Sequence, residues 1–206
     1  MRIAGVILAG GRATRMGGGD KCMKQVAGRP LLAHVVARLG PQVERLAINA
    51  NGDPARFDRF GLPVLADTVP DFAGPLAGVL AGMRWAHAEG FTHVASAAGD
   101  TPFFPTDLVA CLADALSPTE QIAMAATREP ERGLSEHPTF ALWPVRLADD
   151  LEDALTRGQL RKVIVWAARH GIVRVIFDAT PYPFFNVNSP EDLETAERIA
   201  AGEGAA

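Results

Sequence analysis

Cysteine is nearly absent: Cys22 and Cys111 are the two in 206 residues. That is too few for a disulfide framework or a cysteine-built zinc site, and it suits a reducing compartment. Excess charge is missing too. The formal net charge of −4 carries no basic field of the kind nucleic acid selects, so no nucleic-acid partner is expected. Nor does any stretch approach the roughly 18 apolar residues of a membrane span. Arg2 and the apolar residues 3–9 sit at the short end of a signal peptide's apolar region, and Arg12 and Arg15 follow at once. A buried first strand is the better reading, in a soluble cytoplasmic protein. Repeats are lacking, and at this length one domain over residues 1–200 is expected, burying roughly 70% of its unfolded surface. Residues 201–206 read as a disordered tail.

What is present begins where that strand ends. Leu8-Ala9-Gly10-Gly11 leads into Arg12, Arg15, Met16, Gly17, Gly18, Gly19, Asp20 and Lys21. A buried strand that breaks into a glycine-rich cationic loop offers backbone N–H groups and fixed positive charge to phosphates. Two phosphate motifs can be tested against it, and neither matches. The P-loop needs Ser or Thr after its Lys, whereas Lys21 precedes Cys22. The dinucleotide fingerprint needs a third glycine where Cys22 stands.

Strand-like and helix-like segments then alternate. Helical spacing covers 30–39, with Pro30 in the first turn, and 75–88; strands are expected at 43–50, 63–66 and 92–98. A helix over 106–116 takes Thr106 as its N-cap and holds Cys111 in an apolar, structural position. Residues 121–127, 139–143 and 172–177 read as strands, and 145–156 and 160–170 as helices. Ser189-Pro190-Glu191-Asp192 is a helix start, with a Ser cap, Pro in the first position and acids in the first turn. The order predicts an α/β fold in three layers, α/β/α, on a mainly parallel, mixed sheet with helices on both faces.

In such sheets ligands bind beyond the carboxyl ends of the strands. The residues found there are Gly10 to Lys21, Asn49, Asn51, Asp67 and Asp100, with Arg128, His137, Asn186 and Asn188 from the second half. A glycine loop with cations, amides and carboxylates on one edge is how a nucleotide and a metal are held. Structural roles compete for several of them. Asn49 and Asn51 suit Asx turns, and Asp67 suits a turn cap before Pro70. His137, just before Pro138, suits a packed loop histidine. Gly78 and Gly82 let a helix lie close to either a ligand or the sheet. Asp100, in Gly99-Asp100-Thr101-Pro102, is the strongest candidate for chemistry.

The N-terminal run through Lys21, with Gly28-Arg29-Pro30-Leu31, resembles the signature of nucleotidyltransferases with a GT-A-like Rossmann fold, the nucleotide-diphospho-sugar transferase type. Asn49-Ala50-Asn51, Gly74-Pro75-Leu76-Ala77-Gly78, Gly99-Asp100-Thr101-Pro102-Phe103, His137-Pro138-Thr139-Phe140 and Asn186-Val187-Asn188-Ser189-Pro190-Glu191-Asp192-Leu193 extend the likeness. Within that group the chain is most similar to the molybdenum cofactor guanylyltransferases of the MobA type. The resemblance implies transfer of GMP from GTP to the terminal phosphate of molybdopterin, with pyrophosphate released and Mg²⁺ required. It implies that Leu8, Ala9, Gly10 and Gly11 hold guanine and ribose, with Asn49 and Asp67 at the nucleoside end. It implies that Lys21 and Arg15 bind phosphates, Asp100 the metal, and Asn186, Asn188 and His137 the pterin side. Implied partners are molybdenum-insertion proteins and molybdoenzyme chaperones. Two departures are visible: Lys24 is an extra cation, and 129–136 is longer than its counterpart in relatives.

The acceptor in that reaction is a phosphate monoester, largely ionised at pH 7, so no general base is needed to create it. The rival readings are a relative using CTP or a sugar-phosphate acceptor, and a non-catalytic nucleotide- or cofactor-binding protein on the same fold. CTP users tend to carry Leu-Ala-Ala-Gly where this chain has Leu8-Ala9-Gly10-Gly11.

Overall fold

The apolar run after Arg2 forms β1 (Ile3–Leu8), and its side chains alternate between two apolar layers. Ala4 and Val6 face one layer, Ile7 the other. The structure, a computed structural model, describes residues 1–10, 20–69, 74–129, 133–157, 163–178 and 183–202. After Lys21 a small hairpin pairs β2 (Gln25–Val26) with β3 (Arg29–Pro30). It turns through Ala27 at φ 49° and Gly28 at φ 71°, the consecutive left-handed residues that a two-residue hairpin turn requires. Next come α1 (Leu31–Leu39), β4 (Arg45–Asn49), β5 (Val64–Leu65), α2 (Pro75–Ala88), β6 (His93–Ala98) and α3 (Leu108–Asp114). The second half supplies β7 (Ile122–Glu129), β8 (Gly133–Pro144), α4 (Ala148–Thr156), α5 (Val163–Ala167), β9 (Ile172–Ile176) and α6 (Pro190–Ala200).

Seven strands form one sheet in the order β5-β4-β1-β6-β8-β7-β9. Only β8 runs against its neighbours, so the sheet is mixed but mostly parallel, as expected. One face is covered by α1 and α3 through Leu32, Val35, Leu39, Leu108 and Leu112. The other is covered by α2, α4 and α5 through Leu76, Leu80, Leu151 and Trp166. Helix α2 lies on β1 and β4 because two of its residues lack a side chain. A Cβ at Gly82 would fall 2.7 Å from Val6 Cγ1, and one at Gly78 would fall 2.1 Å from Asn49 Oδ1. The close approach is therefore to the sheet.

Several local expectations change. Pro30 ends β3 and precedes α1 instead of sitting in its first turn. Thr106 does not cap α3, which starts at Leu108 after Asp107. The amide of Val109 is satisfied from outside, by Gln42 Oε1 at 2.9 Å, so a residue beyond the end of α1 does the capping. Strand β8 begins at Gly133, six residues earlier than the apolar pattern indicates, and His137 is a strand residue, not a loop residue. Its outer half pairs with β7 alone and is half-exposed, which is why no apolar run marks it. The pairing jumps from Met124 opposite Ala141 to Ala125 opposite His137. Residues 138–140 bulge out there, where Pro138 has no N–H to give the ladder. Ala201 and Gly202 close α6 in a turn, and 203–206 lie outside the described residues. Residues 158–162, at the start of the expected helix over 160–170, lie outside them as well. No helix among the described residues is long and apolar enough to cross a membrane.

Candidate active site

Parallel strands β1, β4 and β6 end together, and the backbone knits their ends. Ala9 N–H donates to Asn49 O at 2.8 Å, and Gly99 N–H donates to Leu8 O at 3.0 Å. This edge carries Leu8, Ala9 and Gly10; Gly11 and Arg15, with the rest of 11–19, lie outside the described residues.

At the end of β6, Asp100 meets Lys21. The amine of Lys21 lies 2.5 Å from Asp100 Oδ2, and the side chains are only 11% and 20% exposed. The same Nζ donates to Asn186 Oδ1 at 3.1 Å and to Asn188 Oδ1. One ammonium thus satisfies three side-chain oxygens from two distant parts of the chain. Asp100 is itself fixed: its carbonyl accepts from Val187 N–H at 3.0 Å, and Thr101 Oγ1 donates to Oδ1 at 3.2 Å. Asn186 and Asn188 flank that Val187 anchor. The cap of α6 holds the second of them, because Asp192 Oδ2 accepts from Asn188 N at 2.8 Å and from Ser189 N at 2.9 Å. Asp192 N–H donates in return to Ser189 Oγ at 3.2 Å, completing the capping box at the predicted helix start.

A second cluster stands at the ends of β4 and β5. The buried Asn49 donates its Nδ2 to Asp67 Oδ1 at 2.9 Å and to Leu65 O at 3.1 Å. Asn51 Nδ2 reaches Asp67 Oδ2 at 2.7 Å, and its Oδ1 accepts from Asp67 N at 2.9 Å. Both Asp67 oxygens are therefore held by amides. These side-chain bonds join residues 16 to 18 apart instead of closing the local turns weighed for Asn51 and Asp67, and they keep the carboxylate at the strand ends. His137 is placed differently: its Nε2 is 2.9 Å from Thr127 Oγ1 and its ring stacks 4.3 Å from Phe184. Burial holds the imidazole below its ordinary pKa, with Glu129 acting in the opposite sense. It stacks on Phe184 of the segment that carries Asn186 and Asn188, but its hydrogen bond goes to Thr127 and not to the Lys21 cluster.

One functional candidate, Arg56, was not legible from spacing, and it pairs with a residue of the predicted loop. Asp20 precedes Lys21, and its carboxylate pairs with Arg56 NH1 at 3.1 Å. Arg56 comes from a 3-10 turn over Pro54–Phe60, started by Asp53 accepting from Ala55 N–H at 3.0 Å. That cap, Asp53-Pro54, is the sequence signal that would have found the turn. Near both lies Cys22, whose thiol is pushed up to about 12 by burial, then by Asp20 and Asp100. A thiol so rarely ionised is structural, as the sequence implied for Cys111.

Among the described residues the edge brings together three carboxylates (Asp20, Asp67 and Asp100), two cations (Lys21 and Arg56) and a row of amides at the end of a parallel sheet, a donor set suited to a polyanion with a metal. A family profile described as the MobA-like NTP transferase domain matches residues 5–172. A curated molybdenum cofactor guanylyltransferase from Bradyrhizobium sp. (strain ORS 278) is 51% identical over 205 residues, covering 98% of this chain and 94% of that protein. One of the same description from Rhodopseudomonas palustris (strain BisB5) is 53% identical over 199 residues, covering 95% and 92%. Among solved structures, molybdopterin-guanine dinucleotide biosynthesis protein A from Archaeoglobus fulgidus aligns with a TM-score of 0.73 at 23% identity, covering 97% of this chain and 99% of that one. At that identity it speaks for the fold alone, as does a CMP:2-keto-3-deoxy-manno-octonic acid synthetase at TM-score 0.75 and 15% identity, covering 98% of this chain and 100% of that one. On a match across most of its length and relatives half identical to it, this chain belongs to the MobA-like NTP transferase family.

Proposed function

We propose that this chain transfers GMP from GTP to the terminal phosphate of molybdopterin, releasing pyrophosphate and forming the guanine dinucleotide of the molybdenum cofactor. The observation that carries the reading is the convergence of Asp100, Asn186 and Asn188 on the amine of Lys21. The names of the curated relatives supply the substrates. In this reading one domain spans 1–200, and Leu8, Ala9, Gly10 and Gly11 hold guanine and ribose through the backbone. Asn49 and Asp67 serve the nucleoside end, Lys21 and Arg15 the phosphates, and Asn186, Asn188 and His137 the pterin side. The working compartment is the cytoplasm, where molybdenum-insertion proteins and molybdoenzyme chaperones are the partners.

The donor set fits Mg²⁺. Three oxygen atoms from one carboxylate and two amides already surround a cation, the ammonium of Lys21, and hard oxygens in small number are what Mg²⁺ takes beside phosphates and water. Asp100 would hold the metal, which supplies neutralisation of the triphosphate when bound. The chain's own work is positioning. Two anions must meet in line at the α-phosphorus, so charge neutralisation and orientation carry the catalysis. Lys21 draws charge from the phosphates, and the strand-end amides fix where the nucleoside stops. A phosphate monoester brings its own nucleophile, and among the described residues the hydrogen-bond partners of Lys21 and Asp100 include no imidazole. The test is pyrophosphate release from GTP with Mg²⁺ and molybdopterin, run beside CTP. No release with GTP, or faster release with CTP, refutes the assignment.

A further inference from the structure

Arg56 has no place in the reading above, yet its half-buried side chain reaches both clusters. Its NH1 pairs with Asp20, its NH2 donates to Asn51 O, and its guanidinium lies 4.9 Å from the Phe57 ring centroid. Among the described residues its Nε is buried with no hydrogen-bond partner. Gly52, at φ 88°, turns the chain beneath it, and a Cβ there would reach 3.8 Å from NH1. The anchor joins the two clusters. Asn51 holds Asp67 at the nucleoside end, and Asp20 adjoins Lys21 at the phosphate end.

Charge makes the anchor necessary. Around Lys21 the described residues place two carboxylates, Asp20 and Asp100, against two cations, Lys21 and Arg56, for a balance of zero. Without Arg56 these four groups would leave one carboxylate uncompensated beside the place proposed for a triphosphate. The buried thiol of Cys22 reports the same neighbourhood: Asp20 and Asp100 both raise it, and Arg56 lowers it.

We infer that Arg56 is a positioning residue that neutralises Asp20, so that the pocket beside Lys21 accepts a polyphosphate and stays registered to the nucleoside end. This rests on the proposed use of GTP. Its signature is a loss that grows with phosphate number, which a merely structural role would not produce. Binding of GMP, GDP and GTP with Mg²⁺ is measured calorimetrically on the full chain. Arg56→Gln is expected to weaken GTP at least tenfold and GMP less than threefold, with GDP between. Arg56→Lys keeps the charge and is expected to bind GTP within threefold of wild type. Adding Asp20→Asn to Arg56→Gln removes the orphaned carboxylate and is expected to restore most of the GTP affinity. Equal losses for all three nucleotides, no loss, or a graded loss that Asp20→Asn leaves unrepaired would each overturn the inference. Should Arg56→Gln fail to fold, the Lys variant decides: a tenfold GTP loss there overturns the neutralising role. A wild type that ignores GTP instead fells the proposed function, and this inference with it.

Discussion

Replacing Lys21 by Met removes an ammonium 2.5 Å from Asp100 Oδ2 and strips three oxygens of their donor. At an effective dielectric of about 20, unit charges about 4 Å apart attract by about 4 kcal/mol. Desolvation of both groups takes back much of that gain. Removing one partner of a fully buried pair costs about 3–5 kcal/mol. Here the side chains keep 11% and 20% exposure, so the lower figure of about 2–3 kcal/mol applies. At about 200 residues, each kcal/mol moves Tm by about 2–4 °C, so Lys21→Met should lower Tm by about 5–10 °C. Asp100→Asn leaves the ammonium among amide oxygens and should cost about 1 kcal/mol. The double variant removes both charges together and should be more stable than the sum of the singles by at least about 1 kcal/mol. Thermal unfolding of all four proteins reads the coupling, and pyrophosphate release reads turnover. All three variants should lose turnover by about a hundredfold or more, so the double variant regains stability without activity. Stability losses that add within about 0.5 kcal/mol would refute the direct ion pair. Near-normal turnover in either single variant would refute the charge assignment.

Gly78→Ala places a Cβ 2.1 Å from Oδ1 and 2.8 Å from Cγ of Asn49, a buried side chain held by its bonds to Leu65 and Asp67, so one of them must shift. Overpacking of this kind costs about 1–3 kcal/mol, and denaturant titration together with GTP binding should show stability and nucleotide affinity falling together. Unchanged affinity in a folded Gly78→Ala protein would remove Asn49 from the nucleoside end. The half-buried His137 binds its proton less readily folded than unfolded, where its value is about 6.5. The unfolded chain therefore takes up more protons as pH drops below about 6.5, and stability should fall with it; His93, lowered likewise, adds the same sign. His137→Asn should flatten that slope in urea titrations between pH 7.5 and 5.5, and an unaltered slope would show that His137 does not contribute.

The layered α/β fold was readable because β1, β4 and β6 are short apolar runs that end in Gly or Asn, and α1 and α2 keep helical spacing. The capping box at Ser189 was equally plain, since its four residues are adjacent. Strand β8 was less so: half of it lies at the exposed end of a hairpin and has no apolar period to see. Lys21, Asp100, Asn186 and Asn188 could be listed by strand-end logic and family likeness. What the listing could not give was that one amine serves all three oxygens, a contact across 79 to 167 positions of chain. Arg56 escaped entirely. Asp53-Pro54 marks the 3-10 turn that carries it, but its meaning comes from Asp20, which is far away in sequence. Thr106 shows the converse, a sound local signal overruled because Gln42 supplied the bond first.

Every strand of the main sheet precedes residue 177, yet the amine of Lys21 finds Asn186 and Asn188 only in the segment that follows. That segment is stapled to the front of the molecule twice, by Val187 to Asp100 O at 3.0 Å and by Glu197 Oε2 accepting from Ala27 N–H at 2.9 Å. Scaffold and centre are therefore separable: the segment that completes the oxygen shell of the Lys21 amine adds no strand to the sheet that carries it, so damage to that segment can spoil the centre while the sheet survives.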